Sequence, residues 1–329
     1  MNIALACNSK KSSKEYLAAE YDSDNTIRAI CDSLEKMGHS VRIVEAGSDA
    51  YASFNDGKSK TDLVFNIAEG LPGECRESQI PAILDIYDIP HTGPGIRATA
   101  ICMNKHVTKL ILKANGIPTP KWTLYPSDSF SAEELSFPFV LKPAREGSSI
   151  GITGESSLAR NHGDMLEKAA DLHDKYSQHI LIEEFLPGAE ITVGIFGNSS
   201  LEVLPLLEIY TEMYPPSCLN MATADAKTIF ESDDFSGPPR DLSPATVKLI
   251  EDMARRTYRM LGCRDFGRVD FRLDAGGVPN VMEVNPIPGI NPEIEEVSYF
   301  TKICRMAGMT YDQMISKIVD ETMERLQFR

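Results

Sequence analysis

Apolar positions along the chain follow two rhythms. Asn2–Cys7 is a short apolar run, the pattern of a buried strand. Over residues 24–37 the apolar side chains Ile27, Ile30 and Leu34 recur at helical spacing, and Gly38 stops the pattern. Residues 41–44 and 63–67 read as two further strands. Strand–helix–strand alternation with short links predicts a parallel sheet with helices on its faces, over residues 1–95. A helix is expected over residues 104–114, closed by Asn115-Gly116, after which Ile117-Pro118-Thr119-Pro120 forces extended chain. Strand-rich text with one helix at about 164–175 carries on to about residue 185. Ser243-Pro244, an N-cap followed by proline at the first helical position, opens a helix. That helix presents Val247, Ile250, Ala254, Thr257 and Leu261 on one side and ends at Gly262. A last helix is expected over 311–326. The class is α/β, with no internal repeat and no low-complexity segment.

The alternation in residues 267–285 carries chemistry. Asp274-Ala275-Gly276-Gly277 is a turn-forming cluster between two strand-like runs, hence a hairpin. A two-residue loop at Ala275-Gly276 would set Arg268 opposite Glu283 and Asp270 opposite Val281. Directly opposed residues share a face and side chains alternate with period two. Arg268, Asp270, Glu283 and Asn285 would then project together, backed by an apolar face of Val269, Phe271, Leu273, Met282 and Val284. A solvated polar face with an incidental ion pair is the simpler reading of the same pattern. Two carboxylates and an amide oxygen are, however, hard oxygen donors of the kind that suit magnesium shared with nucleotide phosphates. A neighbouring guanidinium would oppose an anion held there.

Composition narrows the partners. The 329 residues suggest two or three compact units, and 42% hydrophobic content is ample for a core. A net charge of -15 disfavours nucleic acid, whose phosphates need a positive surface, but not ATP, which needs only local positive charge. No apolar run approaches the ~18 residues of a membrane span, and the N-terminal run lacks the charge order of a signal peptide. The seven cysteines are scattered without a C-x-x-C pair, so reduced thiols in the cytoplasm are expected and a zinc site is not. Residues 210–236 mix Pro215-Pro216, small residues and acids without a regular period, and read as a long mobile loop.

Several segments, in order, resemble the D-alanine–D-alanine ligase family of the ATP-grasp superfamily. Gly267-Arg268-Val269-Asp270 with Met282-Glu283-Val284-Asn285-Pro286 and Pro288-Gly289 looks like its metal-binding end. Phe139-Val140-Leu141-Lys142-Pro143-Ala144-Arg145-Glu146-Gly147-Ser148-Ser149-Ile150-Gly151 looks like its phosphate-covering loop. Met103-Asn104-Lys105 is similar to its first ATP lysine, and the run from Ile182 to Glu190 to its adenine hinge and ribose acid. Gly73-Glu74 and Ile89-Pro90-His91-Thr92-Gly93 match its N-terminal domain.

The resemblance implies an ATP-grasp fold behind an N-terminal Rossmann-like domain. The expected units are residues 1–95, a central lobe 96–185, and a C-terminal lobe 186–329 carrying the metal site and lid. It implies a ligase using ATP and Mg2+ or Mn2+ on small amino-acid or amine substrates, working as a homodimer. By position, Asp270, Glu283 and Asn285 would hold the metal. Lys105, Lys142 and Lys227 would meet the nucleotide phosphates, beside Glu146, Ser148 and Ser149. Glu183, Phe185, Leu186 and Glu190 would take adenine and ribose. Arg268 and the Gly289 N–H would stabilise the acyl phosphate and tetrahedral intermediate. Glu20 would hold the amino-acid substrate.

Three positions depart from the family. Ala226-Lys227 is followed by Thr228 where the family has tyrosine. Ile294 stands where a serine binds the acceptor carboxylate, and Glu69 where many members have histidine. A substrate pair other than two D-alanines is therefore expected, with an ordinary cell-wall ligase as the alternative. Two rival readings are a Rossmann oxidoreductase, from Gly93-Pro94-Gly95-Ile96-Arg97-Ala98, and a non-catalytic ATP-binding protein. The first is weak because the motif does not follow the first strand. The second would not need an arginine for the acyl phosphate.

Overall fold

Strand β1 (Asn2–Cys7) lies between β2 (Ser40–Glu45) and β3 (Leu63–Asn66), both parallel to it. This is the parallel sheet that the apolar runs predict. The computed structural model describes residues 1–10, 20–57, 60–127, 130–132, 135–147, 149–223, 226, 232–294 and 298–327. Helix α1 (Asp24–Lys36) starts where Ser23 accepts a hydrogen bond from the Thr26 N–H, and buries Ile27, Ile30 and Leu34. Helices α2 (Ala50–Gly57) and α3 (Gln79–Tyr87) pack on the other side. Neither was legible as a helix, because each is short and only weakly amphipathic.

Helices α4 (Ile96–Met103) and α5 (Lys105–Ala114) follow. Asn104 caps α5 by accepting from the Val107 N–H. A four-stranded antiparallel sheet comes next, in the order β4-β7-β5-β6: β4 (Trp122–Tyr125), β5 (Phe139–Pro143), β6 (Leu158–Ala159) and β7 (Ile180–Glu184). Helix α6 (His162–Tyr176) covers one of its faces.

The largest sheet is also antiparallel. Its strands are β8 (Glu190–Gly197), β9 (Leu201–Val203), β10 (Leu207–Ile209), β11 (Ser236–Gly237), β12 (Phe266–Leu273) and β13 (Pro279–Asn285). Helix α7 (Pro244–Leu261) packs on it through Ile250, Ala254, Tyr258 and Leu261, capped by Ser243 and ended by left-handed Gly262 as its sequence predicts. Cys102 and Leu112, from α4 and α5, join the same core. Helices α8 (Tyr299–Met306) and α9 (Tyr311–Gln327) close a second core that also holds Ile3 and Leu5 of the N-terminal sheet and Ile27 of α1. The C-terminal helix thus ties the two ends of the chain together.

Gly93 and Gly95 serve this packing. The Gly93 N–H donates to the buried Asp265 carboxylate, 2.9 Å, and Gly95 precedes α4 beside Arg264. Their spacing reflects a contact with the C-terminal part of the chain, so the oxidoreductase reading loses its motif. Among the described residues no helix is long and apolar enough to cross a membrane.

Candidate active site

A cleft runs between the four-stranded sheet and the large sheet, and the β12–β13 hairpin forms its floor. The hairpin loop has three residues, not two. Asp274 accepts from the N–H groups of Gly276 and Val278, at 2.8 and 2.9 Å, and Gly277 takes a left-handed φ of +77°. A second irregularity follows between Asp270 and Phe271, so that Phe271 faces Val281 while Asp270 faces Glu283. Arg268 faces Asn285. The two shifts together move the register by an even number, so the four polar side chains still share a face. Met282 does not join the apolar side; it lines the cleft, and Val281 is buried in its place.

Arg268 grips Asp270 bidentately, at 2.9 Å from each nitrogen to its oxygen. Thr192 donates to the same carboxylate at 2.5 Å and Asn285 at 2.8 Å. Burial opposes charge on Arg268, but Asp270 and Glu283 outweigh it and hold the guanidinium protonated well above its usual range. Its charge is therefore fixed at any working pH. The face carries two carboxylates and an amide, oxygen donors suited to magnesium. Among the described residues no group of three or more His, Cys, Asp and Glu side chains could hold a metal. An ion on this face would thus need further oxygen ligands from a nucleotide, and in that role the residues fit.

The lysines stand opposite. Lys142, on β5, lines the cleft and pairs with Glu183 at 2.6 Å. Lys105 pairs with Glu283 at 3.3 Å and also donates to the Glu146 carbonyl. Ser149 lines the cleft with φ +58°, a strained conformation for a non-glycine residue, and its hydroxyl donates to the Ala222 carbonyl at 2.8 Å. Glu146 also lines the cleft, with its carboxylate bound by Gln178 at 2.6 Å. Ser148, Lys227 and Thr228 lie outside the described residues. Ile294 is exposed, and the carbonyl of Gly289 accepts from the Ser298 hydroxyl.

Glu183, Phe185, Leu186 and Glu190 line the other end. Glu183 is deeply buried and both its oxygens are occupied, by Lys142 and by Lys109 at 2.9 Å. An adenine contact through its side chain, as the resemblance implies, would have to compete with two ammonium groups.

Arg272 was missed in the sequence and organises this end. Its guanidinium donates to the Leu186 carbonyl at 2.6 Å, to Glu190 at 2.9 Å and to the Asn220 carbonyl at 2.6 Å, and it stacks 4.9 Å from the Phe185 ring. Period two from Arg268 and Asp270 was the available signal. The segment that reads as a long mobile loop, 210–236, contains in its described residues short helical turns at Thr211–Met213, Pro216–Cys218 and Asp233–Phe235. It buries Tyr214, Cys218 and Met221, and Met221 and Ala222 roof the cleft.

Arg76 was also missed. It is 3% exposed, donates to Glu20 and to the Arg145 carbonyl (3.3 Å), and lies 3.5 Å from Glu146 and 3.9 Å from Glu69. The other Glu20 oxygen accepts from the Gly147 N–H at 3.1 Å. A Cβ on Gly147 would sit 2.6 Å from that oxygen, which explains glycine there. Both oxygens of Glu20 are thus engaged from within the chain. Burial pushes Glu69 well above the usual carboxylate range and Glu77 up to about 7, with like charges adding to the shift and Arg76 opposing it.

Comparison with known proteins places this geometry. The family model "D-ala D-ala ligase C-terminus" matches residues 111–320, more than half of the chain. A D-alanine–D-alanine ligase of Carboxydothermus hydrogenoformans is 34% identical over 97% of both chains. The uncharacterized protein y4sG of Sinorhizobium fredii is 29% identical, over 89% of this chain and 85% of its own. A crystal structure of D-alanine–D-alanine ligase from Bacillus anthracis complexed with ATP superposes with a TM-score of 0.75 at 20% identity, covering 100% of this chain and 99% of that one. That likeness gives the fold, and the sequence matches give the family: the chain belongs to the D-alanine–D-alanine ligase family of ATP-grasp enzymes, ATP-dependent ligases that form C–N bonds.

Proposed function

We propose that the chain joins a carboxylic acid to an amine through an acyl phosphate, releasing ADP and phosphate, and that its substrate pair is not two D-alanines. The observation that carries the reaction is the shared polar face of β12 and β13, where Arg268 clamps Asp270 opposite Glu283, facing Lys105 and Lys142 across one cleft. ATP sits between the lobes formed by residues 96–185 and 186–329, and residues 1–95 close the substrate end. Asp270, Glu283 and Asn285 hold a magnesium or manganese ion, which would neutralise phosphate charge. Lys105, Lys142 and Lys227 balance the remaining phosphate charge. Phe185, Leu186 and Glu190 place the nucleoside.

The donor carboxylate takes the terminal phosphoryl group, whose bond to ADP breaks. The amine then attacks the acyl carbon, the C–N bond forms, and phosphate leaves, able to accept the proton that the amine sheds. Arg268 and the Gly289 N–H oppose the negative charge that builds on the acyl oxygens. The segment 210–236 keeps water from the acyl phosphate. The enzyme acts as a cytoplasmic homodimer.

The substrate reading has its own support. The glutamate assigned to the amino-acid substrate, Glu20, is already paired with Arg76 and the Gly147 N–H. Ile294 is exposed and its side chain offers no hydrogen-bond donor to an acceptor carboxylate. Against this stands the name of the Carboxydothermus relative, which favours D-alanine in both positions. A substrate-pair screen followed by ADP release, with mass spectrometry of the product, separates the two. A pair other than D-alanine with D-alanine should turn over best; D-alanyl-D-alanine made as readily as any other product would overturn the substrate reading.

A further inference from the structure

Lys109 has no part in the cleft, yet it is the most deeply buried charged side chain beside it. It is 0% exposed and sits one helical turn beyond Lys105 on α5. Its ammonium group contacts Glu183 at 2.9 Å, the Thr119 hydroxyl at 2.8 Å, and lies 5.8 Å from the Trp122 ring centre. Glu183 bridges it to Lys142, whose side chain lines the cleft. Two buried ammonium groups thus share one buried carboxylate, and the trio carries one net positive charge.

Take Lys109 away and the sum is zero. Glu183 would then neutralise Lys142 alone, and the field that Lys142 sends into the cleft would be cancelled at 2.6 Å. We infer that Lys109 is a positioning residue for the nucleotide phosphates: it balances Glu183 from behind, so that the charge of Lys142 stays available to the cleft. The arrangement has a cost that fits the role. Burial, with Lys142 adding to it, lowers the Lys109 ammonium to about 8 even with Glu183 beside it. A pair that served folding alone would be better made with one lysine, because a second buried charge adds desolvation without a second counter-ion.

The inference rests on the reading of Lys142 as a phosphate contact, and the test separates the two. Calorimetric binding of magnesium-ADP and of adenosine is measured on the full chain and on Lys109→Met, Lys109→Arg, Glu183→Gln, Lys142→Met and the double variant Lys109→Met/Glu183→Gln. Lys109→Met should weaken ADP by about tenfold or more, and adenosine by less than about twofold. The double variant restores one net positive charge and should recover ADP binding to near that of the unaltered protein, as should Lys109→Arg. Equal weakening of ADP and adenosine by Lys109→Met, or a double variant that binds ADP no better than Lys109→Met, would overturn the inference. Should Lys109→Met not fold, the comparison moves to Glu183→Gln against the double variant. Tighter ADP binding by Glu183→Gln supports the role, and equal binding refutes it. If Lys142→Met binds ADP like the unaltered protein, the reading of Lys142 fails instead.

Discussion

Arg272→Met keeps most of the length of the side chain and removes its fork, so it isolates what the guanidinium does. Three hydrogen bonds are lost, to the Leu186 and Asn220 carbonyls and to Glu190. At ~1.5–3 kcal/mol for each bond to a charged group, the gross loss is about 5–9 kcal/mol. Several kcal/mol return because a guanidinium no longer has to be held out of water; its burial is deep enough to lower its pKa despite Glu190. Glu190 is 21% exposed and can regain water, whereas Leu186 is buried and its carbonyl is left without a donor. The net expectation is a loss of about 3 kcal/mol in unfolding free energy, read from urea denaturation of the ligand-free protein. Leu186, Phe185 and Glu190 lose their common anchor, so ADP affinity should fall by about tenfold, or ~1.4 kcal/mol. A loss below about 1 kcal/mol with unchanged ADP binding would refute the reasoning, since it would mean that the fork neither holds the hinge nor shapes the nucleoside end.

Glu283→Gln should reduce turnover strongly at ordinary magnesium while costing about 1 kcal/mol or less in stability, because the apolar side of β13 supports the strand separately; full activity at low magnesium would take Glu283 out of the metal site. Glu77 is raised to about 7 by burial, so between its unfolded value of about 4.5 and 7 the folded chain holds a proton that the unfolded chain releases. Its contribution to stability is therefore present below pH 4.5 and lost as pH rises through about 7. Glu77→Gln should flatten that part of the stability profile, measured by denaturation at pH 5 and 7.5, and an unaltered slope would contradict the assignment.

What the sequence discloses and what it hides follow from range. Strands β1, β2 and β3, helix α1 and helix α7 were legible because their cores are local: apolar spacing, Ser23 and Ser243 as caps, Gly262 as a stop. The polar face of β12 and β13 survived a wrong loop length only because two shifts restored its parity. Arg272 and Lys109 had signals that went unread, period two from Arg268 and one helical turn from Lys105. Arg76 had none. It lies in a short turn, and its burial depends on Glu20 and Arg145, 56 and 69 residues away, meeting there in the fold. The pairing of Glu183 with two lysines is likewise a product of the β5–β7 register and the docking of α5.

The central claim is transfer of phosphate to the donor acid, and one measurement addresses it directly. With the donor carboxylate labelled with oxygen-18, the phosphate released on ligation should carry one labelled oxygen, with ADP as the only nucleotide product. Unlabelled phosphate, or AMP with pyrophosphate, would contradict the acyl-phosphate route that Arg268, Asp270 and Glu283 are read to support.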